Sequence, residues 1–188
     1  MARIEERNIG ERIKFRKVDK DLQINIGQKI PRWQEALLVS WLAAWTFCGV
    51  FFIYALFVET DENLKLFIIV SIAFWAYFFF RILKVVVWRI DGAEELHIFK
   101  GEMHLRNRFW KFGKKKTFIV SNIRKFNVVP YNQRMFLQFL EHSFWTIGGD
   151  RMQIEYGGNV IRFGKQLQDK EALALAQVID KALRENQK

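Results

Sequence analysis

The sequence predicts a membrane α-helical hairpin followed by an α+β domain, an antiparallel β-barrel or sandwich of about seven strands capped by a C-terminal helix. Three observations predict it. Residues 36–58 (ALLVSWLAAWTFCGVFFIYALFV) carry no formal charge, and a second apolar run, 66–80 (LFIIVSIAFWAYFFF), follows closely. After Arg89 the pattern changes from helical to alternating. The expected segments are therefore a basic N-terminal stretch over 1–35, a transmembrane hairpin over 36–89 and a cytoplasmic domain over 90–188.

Composition narrows the class. The 188 residues are 51% hydrophobic with a net charge of +10, and they include 19 Phe and 7 Trp. This excludes a disordered tail or a fibrous repeat, and an oily, basic chain points to a membrane protein with basic flanks. One cysteine, Cys48, excludes a disulfide framework and any cysteine-based metal cluster within one chain.

The N-terminal stretch carries nine Lys/Arg against six Asp/Glu, and its weak alternation over 13–16 and 22–26 fits either a short hairpin packed on the main domain or a disordered basic tail. Residues 36–58 would span about 34 Å as a helix, more than a hydrocarbon core of roughly 30 Å. The second run is short alone but reaches Trp88 if Arg81 and Lys84 extend toward headgroups. Only the polar residues 59–63 connect the two. Basic residues crowd both flanks of the hairpin, whereas the connection is acidic, so both termini are expected in the cytoplasm. A bacterial cytoplasmic membrane is the expected location.

Beyond the hairpin, Leu96 and Ile98 alternate with His97 and Phe99, Lys100-Gly101 turns, and Met103 and Leu105 alternate in reply. Further strands are expected at 117–120, 124–129, 135–140, 151–156 and 160–163, with Gly-rich turns at 148–150 and 157–159. A final helix starts near Asp169 as N-cap, with Ala172, Leu175, Ala176, Ile179, Ala182 and Leu183 on one face.

Seven strands closed by one helix resemble a pleckstrin-homology-like (PH-like) domain. With a preceding two-helix hairpin the chain resembles the bacterial PH-like membrane proteins, and its layout is also similar to the photosystem I assembly factor of cyanobacteria and plastids. The resemblance covers about residues 36–188 and is one of layout. It supplies no site residues and does not imply photosynthesis.

Catalysis has little support. His97 and His104 could face each other across the first hairpin, which gives two metal ligands at most, and His142 stands apart in another strand-like context. No phosphate-binding loop, dinucleotide fingerprint or nucleophile elbow occurs. Ser40, Thr46 and Ser71 are expected to bond back to their own helix backbones. We expect no enzyme activity and no cofactor or metal.

The conspicuous feature is the stretch 106–116. It combines six cations, Arg106, Arg108, Lys111, Lys114, Lys115 and Lys116, with Phe109, Trp110 and Phe112. This chemistry suits an anionic membrane surface or a docking partner. The competing reading is a solvated turn whose aromatics are buried in the core. Nucleic acid is not expected, because a membrane tether makes chromosomal DNA an inefficient partner. The expected function is a non-catalytic scaffold, assembly factor or accessory subunit that binds a partner through its cytoplasmic domain. The alternatives are an anionic-lipid-sensing regulator and an accessory subunit of a transport or respiratory complex. Expected partners are membrane lipids and other membrane proteins or further copies of the chain.

Overall fold

The computed structural model describes residues 4–28, 30–110, 112–130, 143 and 145–186. They divide into two compact units, Ile30–Ile90 and the remainder.

The first unit is a helical hairpin. Helix α1 (Arg32–Val58) has 27 residues and α2 (Glu62–Asp91) has 30, with mean hydropathy of 2.0 and 2.2 in their most apolar windows. Both are long and apolar enough to cross a membrane. The connection is short because it is capped from within. Asp61 Oδ1 accepts the amides of Asn63 (2.8 Å) and Leu64 (3.2 Å), which α2 could not satisfy in its first turn. Midway, the helices are tied by two reciprocal bonds. Trp45 Nε1 donates to the Trp75 carbonyl (3.3 Å), and Trp75 Nε1 donates to the Trp45 carbonyl (2.8 Å). Gly49 makes the approach possible, since a Cβ there would lie 2.0 Å from Trp75 Cζ2. As predicted, the Thr46 and Ser71 hydroxyls donate to the carbonyls of Leu42 (2.7 Å) and Phe67 (2.8 Å) in their own helices.

The second unit consists of two open antiparallel sheets and a helix. Strands β1 (Ile4–Ile9), β2 (Ile13–Val18), β3 (Asp21–Gly27), β4 (Ala93–Phe99), β5 (Glu102–Arg108) and β6 (Lys115–Ile119) form one sheet in sequential order. Strands β7 (Ile123–Val128), β8 (Asp150–Tyr156) and β9 (Asn159–Lys165) form the other. The expected strand at 135–140 lies outside the described residues. The N-terminal stretch is not a tail: the expected hairpin forms as β2–β3 and packs on the main domain, with β1 added at its edge. It contributes three strands, and β3 pairs with β4 along its length although the whole helical hairpin lies between them in the chain. The alternation over 13–16 and 22–26 is the local reason: Ile13, Phe15, Leu22, Ile24 and Ile26 all point into the core, with polar residues between them.

Helix α3 (Asp169–Asn186) closes that core. Ala172, Leu175, Ile179, Ala182 and Leu183 are buried with Ile98, Met103, Met152, Ile154 and Phe163 from both sheets. The capping residue is Gln168, one position before the expected Asp169. Its carbonyl accepts the Ala172 amide (2.8 Å), and Glu171 Oε2 reaches back to accept its amide (2.9 Å). Asp169 instead pairs with the buried Arg151, whose Nη2 donates to Asp169 Oδ1 at 2.5 Å. Polar ties fasten the N-terminal strands to the C-terminal end: Arg12 to Glu171 (3.1 Å) and Lys17 to Glu185 (2.6 Å).

The sheets are joined by a buried carboxylate. Glu94 on β4 is 1% exposed and accepts the amides of Gly164 and Lys165 (2.8 Å each) and the Lys165 ammonium (2.5 Å). Burial alone would lower the Lys165 pKa, but Glu94 and Asp150 outweigh it and hold the ammonium above its ordinary value. The charge is thus paired, as a buried ion requires.

Candidate functional site: the basic-aromatic hairpin tip

Residues 106–110 and 112–116 form the end of the β5–β6 hairpin. Phe109 and Phe112 close it by exchanging backbone bonds, Phe109 N to Phe112 O (2.7 Å) and Phe112 N to Phe109 O (2.9 Å). Trp110 occupies the turn with φ at 56°, a conformation that tight hairpin turns demand. Gly113 is required just beyond, because a Cβ would lie 2.4 Å from the Asn107 carbonyl oxygen.

This closure decides where the aromatics point. Trp110 is 64% exposed and Phe112 is 78% exposed, so neither belongs to the core. Phe109 is half-buried. The competing reading of a turn with all its aromatics buried is therefore set aside for Trp110 and Phe112. Phe112 stands in the stretch, but its prominence at the tip depends on the bridge to Phe109, which the sequence does not reveal.

The cations fall into two groups. Arg106 and Arg108 both turn to Glu95 on β4, at 3.8 and 3.0 Å. Lys114, Lys115 and Lys116 are exposed, and among the described residues they enter no salt bridge. Lys111 lies outside the described residues. The surface thus presents two large aromatic side chains and three exposed ammonium groups, without a salt bridge among the described residues, within a few positions of one another.

Register fixes which end of the sheet this is. Gly27 pairs with Ala93, and Ala93 pairs with Arg108. The chain leaves the sheet after Gly27 and re-enters it at Ala93, and the tip projects from that same end.

Two other polar surfaces lie in this unit. His97 and His104 do pair across β4 and β5, with ring centroids 5.9 Å apart. His97 Nε2 lies 2.6 Å from Asp21 Oδ1, and His104 Nδ1 lies 3.0 Å from the Thr117 hydroxyl. Among the described residues no three His, Cys, Asp or Glu side chains are placed to hold a metal ion; His142 lies outside them. An open groove of about 530 Å³ runs over the solvent face of β1–β4, with Lys14, Arg16, Asn25, Glu95 and His97 in its lining. Its lining mixes both signs of charge and selects no single ligand chemistry.

No family model matches the chain, and neither a curated protein nor a solved structure matches it.

Proposed function

We propose that the chain is a two-pass protein of a bacterial cytoplasmic membrane, with both termini cytoplasmic, and that it is a non-catalytic scaffold, assembly factor or accessory subunit. The observation that carries this reading is the insertion of the apolar hairpin between two paired strands, β3 and β4. A domain joined to a membrane by one strand end can swivel freely. One joined through two neighbouring strands of the same sheet is held by two covalent connections, which suits holding a partner in place.

The β-unit supports a PH-like reading. Four sequential strands, β3–β6, three further strands, β7–β9, and a closing C-terminal helix reproduce that layout. On this reading the membrane hairpin is spliced into the first β-turn, and β1–β2 extend the sheet edge. Fold alone does not choose a ligand, so the partner is assigned only as a membrane-associated protein.

The test combines topology and composition. Reporter fusions at Asp61 and Lys188 are expected on opposite sides, with Lys188 in the cytoplasm. Capture of the full chain in gentle detergent should then return stoichiometric membrane partners. Reporters on one side would overturn the two-pass reading; a chain recovered alone would overturn the scaffold.

A further inference from the structure

We infer that the hairpin tip is a membrane-docking element, with Trp110 and Phe112 entering the interface of an anionic leaflet and Lys114, Lys115 and Lys116 meeting its headgroups. This rests on the two-pass reading and assigns a ligand to the tip.

Three independent observations lead to it. The first is exposure. Large aromatics are expensive to leave in water, yet Trp110 and Phe112 are held outward by a closed turn rather than folded back onto the sheet. An indole with its polar N–H suits the boundary between headgroups and acyl chains. The second is charge. Glu95 draws Arg106 and Arg108 away, which leaves the lysines as the available cations. An anionic leaflet attracts each nearby cation by about 1 kcal/mol within a Debye length of about 8 Å.

The third is register. The tip projects beyond Arg108, and Arg108 pairs with Ala93. Only Gly92 separates Ala93 from the end of α2, and only residues 28–31 separate β3 from α1. Such a linker reaches at most about 14 Å when extended. If the two helices cross a bilayer, this end of the sheet is covalently kept near it, whereas the turn at Lys100-Gly101 lies at the other end. A protein partner would not require the tip to lie at the tethered end, and a membrane does.

The experiment uses the full chain with Cys48→Ala and one new cysteine carrying an environment-sensitive fluorophore. The label is placed at Trp110→Cys or at Phe112→Cys, so that each probe leaves the other aromatic intact. Lys100→Cys serves as the distal control. In lipid nanodiscs containing phosphatidylglycerol at low salt, labels at 110 and 112 should emit as if in an apolar medium and be quenched by doxyl-labelled lipid. High salt, or phosphatidylcholine alone, should return them toward water. The triple change Lys114→Gln, Lys115→Gln, Lys116→Gln should lower the docked-to-free ratio by about fivefold per lysine. Water-like emission at both 110 and 112 in anionic discs at low salt would overturn the inference, as would an equal response at 100. A label at Thr60→Cys in sealed vesicles separates the two levels. If 60 and 100 are quenched from the same side, the two-pass reading fails. If they lie on opposite sides while 110 and 112 stay in water, only the docking element fails.

Discussion

Several single residues show a local interaction deciding a larger arrangement. Glu94 is the second residue of β4, and its carboxylate is buried where the amides of Gly164 and Lys165 and the Lys165 ammonium converge on it. Removing one partner from such a site leaves the other charge without compensation. His104 has a more tunable role. Burial chiefly, and the nearby Lys115 next, hold its pKa below the ordinary 6.5. The unfolded chain therefore takes up a proton at a higher pH than the folded one. The stability of the β-unit should fall as pH drops through 6.5 toward the folded value, and it should be insensitive to this group above it. Thermal melts of the detergent-solubilised chain across that range should show the slope. His104→Gln should reduce it, and an unchanged slope would assign the effect to other groups.

At the scale of elements, the helical hairpin depends on one close contact. The Trp45 and Trp75 indoles each need a carbonyl acceptor in apolar surroundings, and each finds it on the facing helix. Gly49 permits this because a side chain there would occupy the Trp75 ring. Gly49→Leu should separate the helices and lower hairpin stability by about 1–3 kcal/mol, the usual cost of overpacking. Trp75→Phe should lose the bond from Trp75 Nε1 to the Trp45 carbonyl while the Trp75 carbonyl still accepts from Trp45, at about 0.6–2 kcal/mol before the added cost of the smaller ring. Both are measurable as a lower melting temperature in detergent, and an unaltered melt for Gly49→Leu would mean that the helices do not meet there. Helix α3 behaves differently. Its buried stripe was legible from spacing, whereas its cap at Gln168 depended on where Glu171 could reach back.

For the whole molecule, the consequential feature is the discontinuous β-unit. Five buried residues of β2 and β3 complete the core that β4–β9 and α3 begin. A fragment of residues 91–188 should therefore fail to fold cooperatively, with exposed β4 promoting aggregation. Joining residues 1–28 to 92–188 through a short Gly/Ser linker should restore folding, because Gly27 and Ala93 are already paired neighbours. Circular dichroism and cooperative melting of the two proteins would decide it. A well-folded 91–188 fragment would show that the N-terminal strands are dispensable.

The sequence by itself determined whatever depends on neighbours in the chain. The two apolar helices, the β4–β5 hairpin with His97 opposite His104, and the stripe of α3 all follow from local periodicity and hydropathy. The composition of the tip was equally legible, since six cations and three aromatics stand together in the chain. Only the tertiary structure decided which strand lies beside β4. That pairing closes across the entire hairpin, and no local pattern records it. The same pairing gave the tip its position, because Arg108 is opposite Ala93 and Ala93 opposite Gly27. The outward aim of Trp110 and Phe112 likewise came from the backbone bonds between Phe109 and Phe112. Composition supplies the chemistry of such a surface; hydrogen-bond register, a property of strands distant in sequence, supplies its direction.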